Sequence, residues 1–319
     1  MKIDPRRLME FLAVARHGSF NSAAAASRVS QPALSKNIAL LERETGVRLL
    51  ERDRTGARLN SFGESLAHYA EALETLLARA AEELTLKRQG IEGPLAVGVT
   101  PVAAATLVPR ALEVLTRQTP RIMVSVVEGL DDELSLHLRQ GQLDLIVGPL
   151  GVGPHYEDLV EEPLFMDRAE LIMRPGNPLA AAGAFNLRDL QSASWVLPSA
   201  GSVFRRQLET LFVTAGTRWP TGGITTNSIL AIKSVVMTTD SVALMSPQLT
   251  AVERAAGRLC SFPLADVRSA RPVGLILSAK APRNPLTARF IDIIRGIVQG
   301  DPHLAGDAVL PQVKRPAVP

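Results

Sequence analysis

Residues 19–42 read SFNSAAAASRVSQPALSKNIALLE, and the reading of this stretch decides how the rest of the chain is understood. Ser19 or Asn21 can cap a first short helix, and the alanines at 23–26 let that helix pack closely. Val29 closes a tight turn. Ser30 then stands where an N-cap belongs, and Pro32 falls at the first or second helical position, where its missing N–H costs nothing. Along this second helix Leu34, Ile38 and Leu41 recur at steps of four and three, which is one buried stripe. The stripe leaves Gln31, Ala33, Ser35, Lys36 and Asn37 on the other side. That side is short, polar and partly cationic at the helix's amino end. Such side chains suit nucleic acid: Gln and Asn can bond an adenine edge, Lys a guanine edge, and Ser a phosphate.

The residues that follow strengthen the reading. ERDRTGARLN, residues 51–60, reads as two short strands with Thr55 and Gly56 at the tip, and it carries Arg52, Arg54 and Arg58. Residues 1–60 hold eleven Lys and Arg against six Asp and Glu, whereas the remainder holds 24 against 26. The positive charge is gathered at the front of the chain. Beside a helix-turn-helix, such a gathering is the electrostatic footprint of phosphate contact.

The segment FLAVARHGSFNSAAAASRVSQPALSKNIALLERETGVRLLERDRTGARLNSFGE, residues 11–64, resembles the winged helix-turn-helix of LysR-type transcriptional regulators. Ser27 and Thr45 stand where that family usually has leucine, and Leu50 where it has phenylalanine. The resemblance implies a multi-domain α+β chain with a winged helix-turn-helix over residues 1–60 and a linker helix and hinge over 61–93. An effector domain over 94–300, similar to periplasmic solute-binding proteins, would follow. It further implies Ser30, Gln31, Pro32, Ser35 and Lys36 on the reading helix as DNA contacts, with Arg52, Arg54 and Thr55 on the wing. Gln31, Ser35 and Lys36 would face bases; Ser30, Arg52, Arg54 and Thr55 would meet phosphate or the minor groove. The expected partners are double-stranded DNA bearing an interrupted inverted repeat, a second or fourth copy of the chain, RNA polymerase and a small-molecule effector.

Composition bounds the alternatives. The 319 residues, 46% hydrophobic and 21% charged, suit a soluble protein of two or three domains. One cysteine, Cys260, precludes an intramolecular disulfide and a cysteine-based zinc site, and a reducing cytoplasm fits. The first helix begins with charged residues rather than an apolar signal core, so neither export nor membrane insertion is expected.

In chain order, residues 5–17 read as an opening helix ended by Gly18. Residues 61–87 read as a long helix capped by Asn60, with Phe62, Leu66, Tyr69, Leu73, Leu76 and Ala80 in a heptad seam. In the LysR type the equivalent helix pairs two subunits. Glycines and a proline at 89–94 mark a hinge. From Leu95 onward strands alternate with helices, the grammar of doubly wound sheets. Strands are expected in LAVGV, IMVSVVE, LDLIVG, AELIM, SWVLP, VALMS, RLCSF and PVGLILS. Helices are expected near 105–118, 131–140, 203–215, 227–237, 247–255 and 286–298. Crossovers near Asp167 and Ala265 then give lobe I over 94–167 and 265–300 and lobe II over 168–264. Residues 301–319, rich in proline, read as a flexible tail.

In such sheets ligands gather at the carboxyl ends of strands. Three corners there carry hydroxyls: Thr100; Ser199 with Gly201 and Ser202; and Thr226 with Asn227 and Ser228. Any one could simply cap its own helix. In the family, positions matching Thr100, Ser202 and Thr226 line the effector cleft, where helix dipoles favour an anion, so a carboxylate or sulfonate is expected. Gly148 and Pro149 would border that cleft, with Phe204 as an apolar wall. No cofactor or metal is called for: the five histidines are scattered with no HExxH, and Gly151 and Gly153 lack the third glycine of a dinucleotide fingerprint. No GxSxG or P-loop is present, and the adjacent pairs Asp131–Asp132 and Glu161–Glu162 do not suggest paired-carboxylate catalysis. An enzyme is therefore not expected. A solute-binding protein with an extension leaves the basic wing unexplained, and a nucleoid-type binder leaves the α/β lobes unused.

Overall fold

Helix α1 (Pro5–His17) starts at Asp4, whose carboxylate accepts from the Arg6 N–H at 2.9 Å, and stops at Gly18 in the left-handed region. In this computed structural model the described residues are 3–53, 56–152, 156–200, 203–266, 270–279, 284–301 and 304. They divide into two units, residues 1–94 with 139–142, and residues 95–138 with the rest.

In the first unit α1 is followed by α2 (Phe20–Ala26), α3 (Gln31–Thr45), the hairpin β1 (Leu50–Asp53) and β2 (Gly56–Leu59), and α4 (Ser61–Arg88). Ser19, Ser30 and Asn60 cap α2, α3 and α4. Leu34, Ile38 and Leu41 are fully buried with Phe11 and Leu12 of α1. The Thr45 hydroxyl, in place of a core leucine, donates to the Leu41 carbonyl at 2.9 Å, which offsets its desolvation. Two close approaches lock the hairpin. Ala57 donates from its backbone to Gly18 O at 2.8 Å, and a Cβ on Gly56 would sit 2.3 Å from that oxygen. A Cβ on Gly63, in the first turn of α4, would sit 2.1 Å from Leu49 O.

Helix α4 has two faces. Ala67 and Ala70 are buried against the head, joined by Leu66 and Leu73, while Phe62, Tyr69, Leu76, Leu77 and Leu84 are exposed. The expected single seam is thus divided: Leu66 and Leu73 turn to the head, and Phe62, Tyr69 and Leu76 turn outward. The 28 residues span about 42 Å at the helical rise.

In the second unit, lobe I is a five-stranded sheet. Its strands are β3 (Glu92–Val99), β4 (Ile122–Glu128), β5 (Leu145–Pro149), β6 (Leu159–Arg168) and, after lobe II, β12 (Ala270–Ser278), in the order β4-β3-β5-β12-β6. Helices α5 (Pro101–Ala105), α6 (Leu107–Gln118) and α7 (Asp131–Arg139) follow β3 and β4, and α11 (Pro285–Gly300) packs beside α6. Lobe II holds β7 (Glu170–Met173), β8 (Val196–Pro198), α8 (Val203–Thr214), β9 (Ile224–Thr226), α9 (Ile229–Thr238), β10 (Ala243–Met245), α10 (Ala251–Ala255) and β11 (Cys260–Phe262). The order β10-β7-β11 is antiparallel, β8 pairs β9 in parallel, and a Trp195–Val242 bridge joins the two sheets.

Two strands are additions to the sequence reading. β6, ten residues long, contains Glu161, Glu162 and Pro163, a composition that reads as loop. It lies at the sheet's edge, where a missing N–H and charged side chains are tolerated. Its partner β12 bulges between Val273 and Gly274, and a Cβ on Gly274 would sit 2.0 Å from Glu162 O. β9 is three residues and too short to show alternation. β6 and β12 are neighbours, and lobe II is strung between the end of one and the start of the other.

Candidate DNA-binding face and effector cleft

On α3, Gln31, Pro32, Ala33 and Lys36 are exposed and Ser35, next to the fully buried Leu34, is half-buried. The Ser30 hydroxyl accepts from the Ala33 N–H at 3.4 Å. It therefore caps the helix, which holds the first-turn N–H groups outward. Asn37 differs from the sequence reading: its amide donates to Glu10 Oε2 at 2.9 Å, so it braces α1 rather than standing free. Arg28, in the turn between α2 and α3, is exposed with φ 55, a left-handed conformation uncommon outside glycine. The backbone of Arg52 pairs with Ala57 in the hairpin, and Arg58 is exposed. The expected contacts Arg54 and Thr55 and the side chain of Arg52 lie outside the described residues.

Between lobe I and lobe II lies a cavity of about 230 Å³. It is ringed by the carboxyl ends of β3 (Thr100, Pro101), β4 (Gly129, Leu130), β5 (Pro149), β8 (Pro198), β9 (Thr226, Asn227) and β10 (Ser246). Phe204 of α8, Ile229 and Ile232 of α9, Leu249, Asp131 of α7 and Arg271 of β12 complete it. Thr100, Phe204, Thr226 and Asn227, picked out from sequence, thus meet in one place. Gly148 and Ser199 do not line it, and Ser202 lies outside the described residues. Gly148 is buried beneath Thr100, close enough that a Cβ there would meet Thr100 Cγ2 at 2.9 Å. Ser199 is half-buried just past Pro198, and its N–H donates to Thr226 O at 3.2 Å, which ties β8 to β9.

The hydroxyls divide by what they already do. Ser228 caps α9, accepting from Ala231 N–H at 3.2 Å, and Thr226 Oγ1 accepts from Ser228 N–H at 3.1 Å. Thr100 is different. It is 7% exposed, makes no side-chain cap to α5, and its Oγ1 is buried with no hydrogen-bond partner. A hydroxyl removed from water without a partner is costly, and this one belongs to a residue that lines the cavity.

The charged residues of the cleft were not singled out from sequence. Arg271 Nε donates to Asp167 Oδ2 at 3.1 Å, and its Nη1 to Gln207 Oε1 at 2.9 Å. Asp167, only 4% exposed, also accepts from Ser246 Oγ at 2.6 Å. Asp167 and Arg271 are cross-strand partners of β6 and β12, at the two points where the chain changes lobe. Lys233, on the cleft's outer margin, pairs with Glu253 at 2.7 Å. Asp131 behaves otherwise: burial pushes its carboxyl above the ordinary carboxylate range, with Asp132 adding to the effect and Arg271 and Arg206 opposing it. Pairing across a crossover is invisible to periodicity, which is why Asp167 and Arg271 escaped the sequence reading as a pair.

Residues 5–64 match the model of the bacterial regulatory helix-turn-helix proteins of the lysR family, and residues 88–298 match the LysR substrate binding domain. The transcriptional regulator PcaQ of Agrobacterium fabrum is 30% identical over 90% of this chain and 92% of its own length. Full-length OxyR from Pseudomonas aeruginosa superposes with a TM-score of 0.63 at 25% identity, covering 92% of this chain and 95% of that one. Full-length CbnR, solved with its target DNA, gives 0.63 at 21% identity over 92% and 99%, a likeness of fold. Among the described residues no helix is long and apolar enough to cross a membrane. The chain belongs to the LysR family, as a transcriptional regulator with a DNA-binding head and an effector-binding domain rather than an enzyme.

Proposed function

We propose that this regulator grips an interrupted inverted repeat in a promoter through α3 and the β1–β2 wing of a homodimer or homotetramer, and that a small acid in the interlobe cleft controls it. Residues 1–60 act as the head, 61–93 as linker, and 94–300 as sensor in this reading. The observation that carries it is the division of α3: Leu34, Ile38 and Leu41 fully buried, Gln31 and Lys36 fully presented at a capped amino end. Gln31, Ser35 and Lys36 read base edges, Pro32 starts the helix at the groove, and Ser30, Arg52, Arg54 and Thr55 hold phosphate or the minor groove. The exposed Phe62, Tyr69 and Leu76 of α4 supply the seam for a second copy, whose two-fold symmetry the operator mirrors.

In the cleft, the acid's oxygens are taken by Thr100 Oγ1 and by the amino end of α9 around Thr226 and Asn227, with Phe204 against its apolar body. A ligand that favours one arrangement of the subunits over another shifts DNA bending and contact with RNA polymerase. Gel shifts against the DNA flanking the gene, with and without candidate acids, test the reading. Arg54→Ala should weaken binding to every sequence and flatten the salt dependence, while Gln31→Ala should chiefly relax sequence preference. Uniform loss in both variants refutes the assigned division of labour.

A further inference from the structure

The charge in the cleft is unevenly committed. Among the described residues, the two cations lining the cavity and its margin already hold a carboxylate: Arg271 is bonded to Asp167, and Lys233 to Glu253. Around the same entrance sit Glu128, Asp131 and Glu133. Among the described residues none of these three carboxylates takes a hydrogen bond from another side chain. Asp131 is the innermost, half-buried on the wall of the same cavity as Thr100. A simple anion entering here meets two cations that already hold a carboxylate, and a carboxylate that Arg271 and Arg206 offset through space without a side-chain hydrogen bond. A ligand with acceptors only would set its charge beside Asp131 and leave the desolvation of that half-buried carboxylate unrelieved.

Resting on the effector reading above, we infer that the ligand is a small acid that also carries a hydrogen-bond donor, an ammonium or a hydroxyl, and that Asp131 is the residue that selects for it. Thr100 and Asp131 supply complementary halves from neighbouring strand ends, where the Gly129 N–H donates to Val99 O at 3.2 Å. Thr100 Oγ1, buried and unpartnered, is a donor waiting for the acid's oxygen. Asp131 is an acceptor waiting for the acid's ammonium or hydroxyl. Beside them Phe204, Ile229, Ile232 and Leu249 enclose an apolar body, and the cavity of about 230 Å³ limits that body to metabolite size. A site built to bond a particular polar group rejects the analogue that lacks it far more strongly than an apolar pocket rejects a missing methylene.

The test is calorimetry on the full-length chain with matched probes: L-phenylalanine and L-3-phenyllactate against 3-phenylpropanoate, and L-leucine and L-2-hydroxy-4-methylpentanoate against 4-methylpentanoate. The wild type is expected to bind a donor-bearing member at least tenfold more tightly than its bare counterpart. In Asp131→Asn and Asp131→Ala that ratio should fall to about twofold or less. Fluorescence melting of both variants establishes that they are folded. Equal or tighter binding of the bare acids, or a ratio unchanged in both variants, overturns the inference while leaving the small-acid reading intact. Binding by no member of the panel overturns the inference and counts against the small-acid reading too.

Discussion

Replacing Thr100 by valine should make the protein more stable and deaf to its effector. The side chain's Oγ1 is buried without a partner, does not cap α5, and is exchanged for a methyl of nearly equal size. Space exists for that methyl because the neighbour across the β3–β5 pair is Gly148, which has no Cβ. Desolvating an unpaired hydroxyl costs about 1–3 kcal/mol on mutational scales. The methyl adds about 0.7 kcal/mol of burial. Taking the low end because the cavity admits solvent, a net gain of about 1 kcal/mol is expected. The tryptophans make this measurable. Trp195 and Trp219 are the chain's two and both lie in lobe II, so tryptophan fluorescence in urea reports the second unit alone. With a slope of about 3 kcal/mol per molar, the midpoint should rise by about 0.3 M at unchanged slope. An unchanged or lowered midpoint would show that Oγ1 is satisfied in solution, and the assignment of Thr100 as a waiting donor would fail.

Three other outcomes follow from the same geometry. Gly63→Ala should destabilise the head by about 1–3 kcal/mol, since its Cβ meets Leu49 O rather than a side chain that can yield; far-UV circular dichroism on heating would show it, and an unshifted transition would contradict the close approach. Arg271→Met should cost about 3 kcal/mol in the tryptophan-monitored transition, because it strands the 4%-exposed Asp167 with only Ser246 as donor; restoring wild-type stability by adding Asp167→Asn would confirm the pairing. For Asp131 the folded state raises the carboxyl's pKa, so it binds a proton more tightly than the unfolded chain does. Its contribution is therefore a destabilisation that grows as pH rises through the carboxylate range, and Asp131→Asn should be more stable than wild type at pH 8 but not at pH 3. A gap of constant size across that range would rule out the burial of Asp131.

The head was legible because its signals are local. A cap, a proline at the second helical position and a four-three stripe occupy twelve consecutive residues, and each found its place in the structure. The lobes were legible from alternating strands and helices, and the rule that ligands collect where strands end picked out three hydroxyl corners, of which those at Thr100 and at Thr226 with Asn227 line the cavity. What escaped was long-range. β6 carries Pro163 and two glutamates, tolerable only because it is an edge strand, and edge position is a property of the sheet rather than of the segment. Asp167 and Arg271, 104 residues apart, become a pair only when β6 and β12 lie side by side. Asp131 read as one of two adjacent acids, and its place on the cavity wall depends on how β4 and α7 meet lobe II.

The meeting of the hairpin with Gly18 has a bearing on how such regulators diversify. Where main chain rests on main chain, no substitution can be absorbed by a change of rotamer, so the set of the hairpin against the corner between α1 and α2 is insulated from the side chains that surround it. On the proposed reading of the head, Gln31, Lys36 and the arginines of the wing can be exchanged during divergence without re-aiming the hairpin. A new operator sequence can then be acquired one side chain at a time.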